Sequence, residues 1–294
     1  MKAEARMKLR PTVLLLSFVF CSVLLWAQSA AAEAEKGSSA EVVLKGNYKV
    51  RSQEDFDRLM AASGGGRFAI GGNLIIDHSS LTTLAGLEKL VKAVRAEGAA
   101  IGISLTHSGA KTSESICGEQ PVGPSPFNFG RDYDTSREFD QGDREEIILN
   151  FVHAAERACE VGMNFIEIHG TDHFLLDQCF SLKFNNRDDE YGPSKLENRI
   201  RLPLEIIHAV HQRETVKIPI SFKFSIHDKI EDGFGPKDLE KLIKLSEKNG
   251  VDLFHPMPPH ILNRLFDKEE NLLEWISKYT KKPLIAEGNI KSPQ

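Results

Sequence analysis

Residues 165–178 read FIEIHGTDHFLLDQ. An aromatic and β-branched run stops at His169 and Gly170. Asp172, His173 and Phe174 follow, and then an apolar helical start. A histidine at the last position of a strand stands where loops gather, so the sheet that owns this strand decides what it can do.

The chain alternates on both sides of that segment. Upstream lie a short buried-strand pattern, NLIID (73–77), an amphipathic helix closed by Gly98, and the strand AAIGISLTH (99–107). The helix DREEIILNFVHAAERACEVG (143–162) follows, with Asp143 as its cap and Gly162 just past its end. Downstream come LENRIRLPLEIIHAVHQRE (196–214), with Pro203 near its first turns, then the strand IPISFKFS (218–225). Helix 236–250, strand 251–257, helix 271–280 and strand 282–288 complete the pattern. Another helix is expected at 52–63, capped by Ser52. Strands alternating with helices of ten or more residues imply βαβ units and a parallel sheet, about six units here. An open doubly wound sheet and a (β/α)8 barrel share that signature. The barrel is favoured because no glycine-rich phosphate turn follows the first strand. Polar residues also recur at strand C-termini: His107, His169, Ser225, His255 and Glu287. The longest loops, 108–135 and 170–196, follow strands, and the C-terminal face is where a barrel builds its active site.

Composition sets outer limits. The chain has 294 residues, 41% hydrophobic and 27% charged, an ordinary globular balance. A net charge of −5 argues against a general nucleic-acid binder. At the N-terminus, Lys2, Arg6, Lys8 and Arg10 precede the apolar TVLLLSFVFCSVLLW, and small residues follow. That order reads as a secretory signal peptide over 1–32, cut near Ala30 to Ala32, so that no stable membrane span is expected afterwards. The run falls short of the roughly 20 residues a comfortable bilayer span needs. Residues 33–51 read as a small, polar linker and 52–294 as the barrel. Cys21 lies in the signal. Cys117, Cys159 and Cys179 are too widely spaced for a disulfide framework or a zinc site.

Several motifs together resemble the Old Yellow Enzyme family, FMN-dependent NAD(P)H:flavin oxidoreductases and ene-reductases. They are LTHSGAK (105–111), PVGPSPF (121–127), FVHAAERACEVG (151–162), IEIHG (166–170), the long stretch 175–210 containing NNRDDEYG and ENRIR, and IAEGNI (285–290). The resemblance covers about 52–292. It implies a TIM barrel that holds FMN at its mouth, takes hydride from NAD(P)H and passes it to an activated alkene or another small electrophile. It also implies roles. His169 is the first of two donors to a substrate oxygen. The second donor position is Asp172, which accepts rather than donates when ionised, and His173 stands one residue further on. Phe174 occupies the place of a proton-giving tyrosine. For the cofactor, Ser104 stands for a flavin-facing glutamine and Ala110 for an arginine. Lys223 stands for an arginine near flavin N1 and O2, keeping the charge without the planar fork. Gly288 admits the phosphate, with Asn289 replacing a second glycine. Asp188, Asp189, Glu190 and Arg199 are read as structural ion pairs and loop anchors. His255 and His260, in HPMPPH, are read as loop residues, with substrate contact as the alternative.

Measured against the family, the first and eighth barrel strands are not recognised in the sequence. An incomplete barrel leaves strand edges that another chain can cover, making an oligomer. These departures also motivate a second reading, a non-catalytic relative that binds a small molecule or a protein partner.

Overall fold

The computed structural model describes residues 42–45, 48–50, 68–71, 74–76, 81–96, 100–225, 236–257, 264 and 270–286. The expected signal peptide, the helix expected at 52–63, His260, Gly288 and Asn289 lie outside the described residues. Four short strands come first: β1 (Val42–Lys45), β2 (Tyr48–Val50), β3 (Phe68–Gly71) and β4 (Leu74–Ile76). β1 pairs with β3 and β2 with β4, both parallel. β1 and β2 fall within the stretch read as a linker, where VVLK and YKV supply residues suited to extended backbone.

Helix α1 (Leu81–Ala96) leads to β5 (Gly102–Leu105). The long segment after β5 carries a one-turn helix, α2 (Glu114–Cys117), and a two-residue parallel pairing of β6 (Val122–Gly123) with β7 (Arg137–Glu138). Helix α3 (Gln141–Glu160) follows. Its cap is Asp140, not Asp143: the Asp140 side chain accepts from the Asp143 N–H, and the Asp143 carboxylate accepts from the Asp140 N–H. Both acids serve one reciprocal box, so either could be taken for the cap. Gly162, with φ 83°, turns the chain out of the helix. Then come β8 (Phe165–Gly170), α4 (Leu175–Phe180), α5 (Leu196–Arg199), α6 (Arg201–Gln212), β9 (Ile220–Phe224), α7 (Pro236–Asn249), β10 (Leu253–Pro256) and α8 (Leu272–Ser277). Pro203 sits in the first turn of α6, where its missing N–H costs no helix bond.

Strands β5, β8, β9 and β10 form one parallel sheet in that spatial order. A parallel bridge between Phe254 and Leu284 starts the next strand beyond β10. Neighbouring helices pack in sequence, α3 on α6, α6 on α7 and α7 on α8. This is the wall of a βα barrel: sequential parallel strands, each covered by the helix that connects it to the next. The apolar outer face explains the cohesion. Ile166, Ile168, Phe222, Phe224 and Phe254 are fully buried, and Phe180 of α4 packs 6.3 Å from the Phe222 ring. From α6, Leu202, Ile206, Ile207 and Val210 are buried, each contributing roughly 1.5–3 kcal/mol.

Candidate active site

Alternation along the strands puts a different set of residues on the other face. Ser104, Glu167 and Ser221 stand abreast on β5, β8 and β9, and two residues on, His169, Lys223 and His255 stand abreast on β8, β9 and β10. Glu167, His169, Ser221, Lys223 and His255 are all buried. Barrel interiors are usually filled by branched aliphatics. This wall is polar and charged instead.

The groups meet in one hydrogen-bonded chain. Asp172 Oδ2 lies 3.1 Å from His169 Nε2, and His169 Nδ1 lies 3.2 Å from Ser104 Oγ. Ser104 donates to Glu167 Oε1 at 3.0 Å, and Glu167 Oε2 lies 2.6 Å from His255 Nδ1. Ser221 also donates to Glu167 Oε2, at 3.3 Å. Thr171 Oγ1 lies 3.0 Å from His169 Nε2 and donates to Asp172 Oδ2 at 2.8 Å. Burial opposes ionisation of Glu167, but the His255 hydrogen bond and the charges of His255, Lys223 and His169 hold its carboxyl below the usual range. Asp172 follows the same pattern. Burial works against its charge, and the His169 hydrogen bond and charge, Thr171 and Lys223 prevail.

The turn after β8 aims these side chains. Asp172 and His173 have φ of 61° and 58°, two successive left-handed residues without glycine. Asp and His tolerate this conformation better than most, at some strain. The turn swings Asp172 back onto His169 and sends His173 outward, with 59% of its side chain exposed. His173 Nδ1 lies 3.3 Å from Asp177, and its ring stacks on Phe129 with centroids 6.4 Å apart. Asp177 also accepts from the His173 N–H at 2.7 Å and from Ser225 Oγ at 2.9 Å.

A second loop locks onto the first. Gln178 accepts from the Ala110 N–H and donates to the carbonyls of Ser108 and His173. A Cβ at Gly109 would overlap the Gln178 amide, so the close approach requires that glycine. His107 Nδ1 accepts from the Gly109 N–H at 3.0 Å, while its carbonyl accepts from the Leu175 N–H. Burial pushes the His107 imidazole down to about 4, partly countered by Asp143. Ala110 is buried, and the cation of this motif sits one residue on. Lys111 Nζ donates to the Asp172 carbonyl at 2.8 Å and lies 5.0 Å over the Phe174 ring.

The structure therefore gathers Ser104, His169, Asp172 and Lys223 and turns His173 away from them. Sequence reasoning missed the parts played by Glu167, His255 and Lys111. The parity of Glu167 with His169, and of Ser221 with Lys223, was the available signal. In the NNRDDEYG loop the hub is Arg187, paired to Asp189 and Glu138 and donating to the Phe139 carbonyl. Asn185, fully buried, donates to the Cys179 and Tyr191 carbonyls. Among the described residues Cys117, Cys159 and Cys179 are free thiols, and no histidine, cysteine or carboxylate cluster could hold a metal ion.

Known proteins share this architecture. The pattern of the NADH:flavin oxidoreductase / NADH oxidase family matches residues 29–294. An NADH oxidase of Thermoanaerobacter brockii is 35% identical over 72% of this chain and 34% of its own length. An NADPH dehydrogenase of Clostridium acetobutylicum is 37% identical over 70% of this chain and 61% of its own. The chain thus spans between a third and three-fifths of those relatives' length. Morphinone reductase in complex with tetrahydroNAD shares the fold, with a TM-score of 0.63 and 22% identity over 85% of this chain and 77% of that one. With the matched pattern running over most of its length, the chain belongs to the NADH:flavin oxidoreductase / NADH oxidase family.

Proposed function

We propose that this chain acts as an FMN-dependent NAD(P)H oxidoreductase of the Old Yellow Enzyme type, delivering hydride to an activated alkene or another small electrophile. The observation that carries the reading is the buried Lys223 ammonium in a polar strand-end set with Ser104 and His169. The described residues fit FMN. Besides Lys223, Thr106 Oγ1 is buried at the end of β5 with no hydrogen-bond partner among them. A polar, electron-rich ring edge would satisfy that hydroxyl and meet the positive charge. Bound FMN supplies the two-electron relay between a nicotinamide and the electrophile.

The chain's own groups shape the rest. His169 presents no uncommitted N–H, because Nε2 faces Asp172 and Thr171 and Nδ1 faces Ser104. A substrate oxygen reaches His169 only by displacing Asp172. Lys111, beside Asp172 and over Phe174, is placed on the loop side to meet negative charge on a substrate. Phe174 holds no proton to donate, so the substrate proton comes from another group or from water.

The test is direct. The full chain is expressed, its cooperative unfolding confirmed, and released flavin quantified beside NAD(P)H oxidation with and without an enone. Stoichiometric FMN with enone-dependent oxidation is the expected result. A folded chain that takes up no FMN when it is supplied would sink the proposal. The basic and apolar N-terminus also supports export through the secretory pathway. Mass determination of the mature N-terminus checks it, and an intact Met1 on the folded product would count against cleavage.

A further inference from the structure

The hydrogen-bonded chain Asp172–His169–Ser104–Glu167–His255 crosses from the mouth of the wall to its buried interior, and turnover as proposed above uses only its outer end. Its proton positions follow from the groups. Glu167, ionised, can only accept. Ser104 has one hydroxyl hydrogen, which goes to Glu167 Oε1. With that hydrogen on Glu167, Ser104 Oγ is left to face His169 Nδ1 as an acceptor, an arrangement that suits a proton on Nδ1. On the other side, Thr171 donates to Asp172, so both atoms beside Nε2 are acceptors as well.

We propose that Glu167 is a positioning residue for His169: acting through Ser104, it fixes a proton on Nδ1 and so holds the ring with both nitrogens donating, Nε2–H towards the mouth. Among the described residues, the charged and titratable groups that face this ring are Asp172 from the turn, Lys223 from β9, and Glu167 and His255 behind Ser104. Glu167 and Asp172 supply two negative charges and Lys223 one positive. His255, 1% exposed and against Glu167 Oε2, orients the carboxylate from below. The bearing of this arrangement on turnover rests on the proposed oxidoreductase reading. The ring geometry stands apart from it.

The test uses the full chain labelled with 15N-histidine, with ring 15N–1H correlation spectra at pH 7. His169 is assigned by the signals lost in His169→Gln. Wild type is expected to show a protonated Nδ1 at His169. In Ser104→Ala the acceptor is gone, and in Glu167→Met the Ser104 hydroxyl is released to donate to the ring. Both variants are expected to move Nδ1 to the unprotonated range, whereas Ser221→Ala, which touches only the other carboxylate oxygen, leaves it in place. An unprotonated Nδ1 in wild type overturns the proposal whether or not the variants fold, as does an unchanged His169 spectrum in folded Ser104→Ala. Flavin content and enone-dependent oxidation are read on the same samples. If wild type lacks both, the oxidoreductase reading fails, while the ring spectra still decide where the His169 protons sit. If wild type is active, kcat in Ser104→Ala is expected to fall about tenfold with the KM for NAD(P)H unchanged.

Discussion

Lowering the pH should release the loop that closes over the strand-end groups, and His107 sets where this happens. Its imidazole is held near 4, against 6.5 for an ordinary histidine, chiefly because burial disfavours the charged ring. The neutral ring uses the Nδ1 lone pair to accept from the Gly109 N–H. A proton there would set two N–H groups against each other and loosen the Ser108–Lys111 turn. Because the folded value is depressed, His107 leaves stability untouched above about pH 6.5 and costs progressively more as the pH falls towards 4. At pH 5 the shift corresponds to about 2 kcal/mol, or about 1–2 once solvent contact at the partly exposed ring is allowed for. The assay is urea denaturation at pH 7.5 and pH 5 for wild type and His107→Asn, whose amide oxygen can still accept from Gly109 but does not titrate. Wild type should lose about 1–2 kcal/mol more than the variant over that interval. Parallel losses in the two proteins would show that His107 is not held neutral and would refute the reasoning.

Three other perturbations follow from the same geometry. Asp172→Asn keeps an acceptor beside His169 and Thr171 but removes its charge, and should cost about 1–2 kcal/mol in chemical denaturation at pH 7. Because the Asp172 carboxyl is depressed, that difference should be present above the ordinary carboxylate range and fade as the pH falls through the folded value. Lys223→Met leaves the buried Glu167 and the half-buried Asp172 with less opposing charge, so the folded state should lose about 3 kcal/mol and released flavin should drop. Unchanged melting together with unchanged flavin would contradict both roles given to this lysine. Asn185→Leu removes two buried hydrogen bonds at similar volume and should lower stability by about 2–4 kcal/mol, read as a fall in Tm.

The wall was legible because its signals are local. Short aromatic and β-branched runs such as ISFKF and FIEIH, separated by helices of ordinary length, name parallel strands without reference to anything distant. The segment after β5 was not legible in the same way. Its pairing of Val122–Gly123 with Arg137–Glu138 spans two residues on each side, too short to leave a periodic trace. The site divides along the same line. His169 and Lys223 stand out because each ends a strand. The Glu167–His255 contact joins residues 88 apart, and only the register of three strands brings them together. The direction of Asp172 was hidden for another reason. Two left-handed residues in a row without glycine are not what HGTDH announces, and that turn sends residue 172 onto His169 and residue 173 away from it.

The polar wall also bears on whether the altered family positions mark a worn-out site or a working one. Burying a carboxylate, an ammonium and two imidazoles is not a route to stability, since well-packed hydrophobic residues of similar volume serve as well or better. The outer face of the same strands shows that this chain can fill buried positions with Ile and Phe. On the inner face it places Glu167, His169, Ser221, Lys223 and His255, and it satisfies Glu167 and His169 from both sides with hydrogen bonds that join four strands and the turn after β8. Local rules broken together on one face, and supported by a connected set of partners, are the physical mark of a functional site. Under the proposed oxidoreductase reading, Asp172 and Phe174 belong to a working site with altered chemistry at the mouth. Asp172 replaces a second donor with an acceptor that holds His169, and Lys111 brings the positive charge of its loop to the rim.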